Sequence, residues 1–164
     1  MDSTLVDYLT VMPYIALLPS LLCGLALSIH DIRRTTVPRS WVAAGLGSQL
    51  AVNAVYAALH GDVLLCVRPV LWACCAALLM FLLACVRPGG VGMGDVTSSI
   101  MAGHAVGVYG VTAFMGWWAL MGMLGLVWMA VLVRLGRSGE GRGPREVPFV
   151  PPIMVAALCS VFLG

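Results

Sequence analysis

Seven carboxylates are spread over the 164 residues, and five of them have ordinary surroundings. Asp2 and Asp7 lie in the N-terminal tail, Asp62 in a short polar turn, and Glu140 and Glu146 in a Gly/Arg-rich stretch. Asp31 and Asp95 differ. Each stands where a long uncharged apolar run meets a polar loop, a position at which a charge is costly and usually has a purpose. Two carboxylates brought close together do not both ionise cheaply: one keeps its proton and serves as an acid, while the other deprotonates a water. The chemistry open to such a pair is attack of water on a carbonyl by general acid–base catalysis, with no metal, thiol or nucleophilic serine. Other reactive sets are missing from the sequence. His30, His60 and His104 are scattered, and there is neither an H-E-x-x-H zinc motif nor a G-x-S-x-G nucleophile elbow. The six cysteines contain no C-x-x-C pair and suit small apolar packing positions. No metal or cofactor is expected.

Gly89, Gly90, Gly92 and Gly94 crowd the residues before Asp95, so the backbone there can turn sharply and approach another segment closely. A helix starting at Asp95 would put Ser98 and Ser99 on the same face as the carboxylate. The plain alternative is that Asp95 only caps that helix. For Asp31 the plain alternative is a surface acid held by Arg33 and Arg34. His104, nine residues past Asp95, falls about 180° round an ideal helix from it, which suits packing or an interhelical hydrogen bond better than catalysis. Gln49 and Asn53, at i and i+4, suit the same polar role between helices. Trp117, Trp118 and Trp128 suit packing or interfacial anchoring.

The elements that must position the two aspartates are membrane helices. The chain is 61% hydrophobic and 10% charged, with a mean hydropathy of +1.00, whereas soluble domains carry about 25% charged residues. Residues 11–29, 41–59, 69–86, 96–133 and 147–164 contain no Asp, Glu, Lys or Arg. A spanning helix needs roughly 20 apolar residues. As one helix the fourth run would extend about 57 Å, so it should fold into two, 96–108 and 111–133, breaking near Gly107 and Gly110. The expectation is a single all-α membrane domain over residues 1–164 with six transmembrane helices. The acidic N-terminus does not look like a cleavable signal, so the first span is expected to remain. All nine basic residues are Arg, and eight of them fall in three loops that share one face under this topology; only Arg68 falls on the other. The positive-inside rule makes that face cytoplasmic and puts both termini outside. Asp31 and Asp95 then emerge on the cytoplasmic face, two spans apart. A single span over 96–133 would move the four-arginine loop outside, against the same rule. The third cytoplasmic loop, rich in Gly, Arg and Pro, is expected to be a mobile connector.

Three segments resemble the motifs of the type IV prepilin peptidases, a family of GxGD membrane aspartic proteases. DIRRTTVPRSW carries Asp31, with Val37 and Pro38 at the family's distance. GMGDV carries Gly92, Gly94 and Asp95. VPFVPPIMVAA, with Pro148, Phe149 and Pro151, is similar to the family's Pro-rich lead into its last helix. Arg39 stands where the family often has Asn, and Thr97 where it often has Lys. The resemblance implies a GxGD-type bundle in a bacterial inner membrane, with Asp31 and Asp95 as the catalytic pair facing the cytoplasm. The implied partner is a prepilin or pseudopilin, whose leader is cleaved after a Gly at the edge of its transmembrane helix. The short chain resembles the form associated with Flp (Tad) pili, and N-methylation of the new terminus is not expected. No nucleic-acid partner is expected, and the oligomeric state is open. Two other readings use the same residues. The presenilin and signal-peptide-peptidase group carries its first Asp deep in a span, and a transporter or assembly scaffold would use the bundle without catalysis.

Overall fold

The computed structural model describes residues 18–86, 92–134 and 148–161. The expected start of the first span, Gly89 and Gly90, residues 135–147 of the expected third cytoplasmic loop, the chain end at 162–164 and the carboxylates Asp2, Asp7, Glu140 and Glu146 lie outside them. Among the described residues there are six helices and no strand: α1 Leu18–Arg34, α2 Arg39–His60, α3 Leu64–Val86, α4 Met93–Gly107, α5 Val111–Arg134 and α6 Val150–Ser160. Helices α2, α3 and α5 are long and apolar enough to cross a membrane.

The long fourth run does break between Gly107 and Gly110. Gly110 has φ 90°, a left-handed turn that an L side chain resists. Gly61, at φ 65°, ends α2 in the same way, and Asp62 accepts the Leu64 N–H at 2.9 Å to open α3. Several helices overrun the charge-free segments. Helix α1 continues to Arg34, α3 begins at Leu64 with Pro69 inside it, and α4 begins at Met93. Charge marks where a chain meets water, but helical hydrogen bonding does not stop there. Arg33 and Arg34 sit comfortably in the last turn of α1, at the negative end of its dipole.

Helix α4 is the hub and packs against each of the other five. From Val96 to Gly107 nearly every residue is buried. Its Gly103 lies against Ala73 and Ala76 of α3, and Gly107 against Trp72 and Pro69, so these two helices approach closely without side chains between them. The outside of the bundle is apolar: Leu126 of α5 is 75% exposed, and Leu71 and Leu78 of α3 are also exposed. Gln49, Asn53, Ser98, Ser99 and His104 are buried. Apolar outside with polar inside is the arrangement of a chain whose solvent is lipid; the protein is a membrane protein.

Candidate active site

Asp31 lies in the last turn of α1 and is only 5% exposed. One residue past that helix, Thr35 takes φ 51° and sends its N–H to the Asp31 carbonyl at 2.8 Å. A β-branched residue in the left-handed region is strained, by about 1–3 kcal/mol. Its hydroxyl donates to the Arg34 carbonyl at 2.8 Å.

The Asp31 carboxylate reaches across to the start of α6, where Oδ2 accepts the Val150 N–H at 3.1 Å. Phe149 is the N-cap there, and Val150, Pro151 and Pro152 form the first turn. A helix start exposes N–H groups that have no intrahelical partner. Prolines have none to expose, so two of these orphans are deleted by sequence and Asp31 takes up the Val150 N–H. The segment is also fixed from behind. Trp128 Nε1 donates to the Pro148 carbonyl at 2.8 Å, and the Phe149 ring lies on Gly125 of α5, where a Cβ would stand 2.6 Å from its Cζ.

Asp95 is the third residue of α4, not its N-cap; Gly92 holds that position. Asp95 Oδ2 accepts the Gly92 N–H at 3.0 Å, half of a capping box, at the helix end whose dipole favours a negative group. Thr97 and Ser98 turn their hydroxyls back to the Gly94 carbonyl, at 2.9 and 2.8 Å. Thr97 is therefore tied to its own helix. Val37 lies directly over Gly94: a Cβ on that glycine would stand 2.7 Å from Val37 Cγ2.

The residues singled out in sequence thus fall into linked groups. Asp31 is joined to the Pro148–Pro151 segment through Val150. Val37, three residues past Arg34 at the end of α1, is packed onto Gly94 beside Asp95. Pro38 is the N-cap of α2, and Arg39, the first residue of α2, is exposed. Helices α1 and α4, which carry the two aspartates, pack on each other. Gln49 donates from Nε2 to Asn53 Oδ1 at 3.2 Å, a bond within α2. His104 is buried, and among the described residues neither of its ring nitrogens has a hydrogen-bond partner. Sequence reasoning missed Val150, which contributes only a backbone group, and Thr35, whose residue type argues against the conformation it adopts.

Residues 16–135 match the type IV leader peptidase family. The matched stretch contains Asp31, Val37, Pro38, Gly92, Gly94 and Asp95, and ends before Pro148. No curated protein and no solved structure matches the chain. With the match covering well over half of its length, and with the first two motif segments in direct contact through Val37 and Gly94, this chain belongs to the type IV leader peptidase family.

Proposed function

We propose that the protein is a membrane aspartic endopeptidase that removes the leader from prepilins or pilin-like secretion subunits at the cytoplasmic face of the inner membrane. Asp31 and Asp95 are its catalytic pair. The observation that carries this reading is the meeting of motif segments: Asp31 holds the start of α6, and the turn that follows it lays Val37 on the glycine next to Asp95.

In the reaction one carboxylate takes a proton from water as the oxygen attacks the scissile carbonyl, and the other carboxyl protonates the carbonyl oxygen. Collapse of the resulting diol breaks the C–N bond, and a proton passes to the leaving amine. The starting proton belongs to the pair, not to either residue alone. A substrate whose own transmembrane helix lies in the bilayer would present its leader junction at the end of the bundle that carries both aspartates.

The test is co-expression with a prepilin of the Flp type, following leader loss by N-terminal mass. Wild type should cleave after the leader Gly. Asp31→Asn and Asp95→Asn should each lower the rate by at least roughly a hundredfold, with membrane insertion intact. Substantial cleavage by either variant would overturn the assignment of the pair.

A further inference from the structure

The turn between α1 and α2 joins the two candidate aspartates mechanically. It follows the helical turn that carries Asp31, opens on the strained Thr35 and brings Val37 to its seat on Gly94. A short turn with a β-branched residue at φ 51° relaxes unless its surroundings hold it. One side chain bridges it. His30 Nδ1 lies 2.8 Å from the Thr36 carbonyl oxygen, six residues along the chain. A carbonyl only accepts, so Nδ1 carries the hydrogen and the ring donates. Both the Nδ1-protonated neutral ring and the imidazolium have this donor. The other side of the turn bears on the ring as well, since Trp41, in the first turn of α2, lies 6.1 Å from it between centroids. His30 is half-buried, wedged between the end of α1, the turn and the start of α2.

We propose that His30 is a positioning residue. Its Nδ1–H···O=C bond to Thr36 clamps the strained turn, so that Val37 stays seated on Gly94 and the segments bearing Asp31 and Asp95 keep their spacing. It rests on the peptidase reading for its effect on rate, but not for its effect on the turn. His30 itself touches no reacting atom in this role, and substrate binding does not depend on it.

The full chain, purified in detergent, is assayed as wild type, His30→Phe, His30→Asn, Thr35→Gly and the His30→Phe/Thr35→Gly double variant. Phe keeps a ring against Trp41 without a donor, whereas the Asn side-chain N–H replaces Nδ1–H. His30→Phe should lower kcat roughly fivefold to tenfold with KM little changed, and His30→Asn should recover most of that loss. Glycine adopts φ 51° without strain, so His30→Phe should cost distinctly less in the Thr35→Gly background. A second readout needs no activity: trypsin should cut after Arg33 and Arg34 several times faster in His30→Phe than in wild type or His30→Asn. Equal tryptic rates overturn the clamp whatever the activities. Unequal tryptic rates with unchanged kcat, an Asn variant as impaired as Phe, or an undiminished loss in the Thr35→Gly background overturn the positioning role. A wild type that cleaves no prepilin refutes the peptidase reading instead, and the tryptic comparison still decides the clamp.

Discussion

A methyl group at Gly94 would stand 2.7 Å from Val37 Cγ2 and 3.0 Å from its Cβ, closer than real side chains approach. At Gly92 the same methyl would meet nothing nearer than Asp95 Oδ2 at 3.4 Å, an ordinary contact. The two glycines of the GxGD motif therefore carry different loads. Gly94 is a seat for Val37, and the β-branched side chain that fills it is stiff and cannot swing aside cheaply. Gly94→Ala should lower leader cleavage at least roughly tenfold, because overpacking at a well-filled contact costs about 1–3 kcal/mol. Gly92→Ala should cost clearly less. Adding Val37→Ala to Gly94→Ala removes the atom at 2.7 Å and should restore part of the rate. Rates of leader loss for these variants, normalised to protein in the membrane, check the order, and equal losses at the two glycines would refute it.

Helices α5 and α6 show how an element far from the aspartates in sequence comes to support them. The start of α6 is held to α5 by Trp128 on the Pro148 carbonyl and by Phe149 on Gly125, and to α1 by Asp31 on the Val150 N–H. Gly122 lies one turn before Gly125 on the same helix but has open space where its Cβ would be. Alanine at Gly122 should leave thermal stability in detergent unchanged or raise it, by up to about 1 kcal/mol of helix propensity. Alanine at Gly125 should lower it, and should slow cleavage as well, since the displaced Phe149 carries Val150 away from Asp31. Melting curves for the two variants are the check; a stable, fully active Gly125→Ala would separate this anchor from the site. Little of this tie was legible beforehand. Asp31, Asp95 and the break at Gly107–Gly110 stand out in the sequence because charge in an apolar run and glycine at a helix end each have a local cause. The Val150 N–H and the two glycine seats have no local cause. A backbone donor is the same in every residue, and a glycine that admits a neighbour looks identical to one that faces open space. The start of α4 was displaced for a related reason: Asp95 has the composition of a cap, but Gly92 takes that position while Asp95 bonds back to it from inside the helix.

At the scale of the whole molecule, burial and charge act on the same bundle along different axes. Burial sorts residues radially, with His104, Gln49 and Ser98 inside and leucines such as Leu126 outside. Charge sorts them along the bundle axis. Arg33, Arg34 and Arg39 flank the α1–α2 turn, Arg134 ends α5, and Arg68 lies near the start of α3. Because α4 and α5 are separate helices joined at Val108–Gly110, the stretch at 135–147 should return to the face that carries the α1–α2 turn. With four arginines in and beside that stretch, the positive-inside rule predicts that this face is cytoplasmic. Reporter insertions give the check. Insertions at 87–91 and at 135–147 should be scored as cytoplasmic, and those at 61–63 and 108–110 as external. An external score at 135–147 would put α5 the other way up and remove the argument that this stretch shares the membrane face of the α1–α2 turn. Replacing Arg137, Arg142 and Arg145 with Ser should weaken the cytoplasmic score at 135–147. Helices α1 to α4 should keep their orientation, because Arg33, Arg34 and Arg39 hold the first turn on the same side.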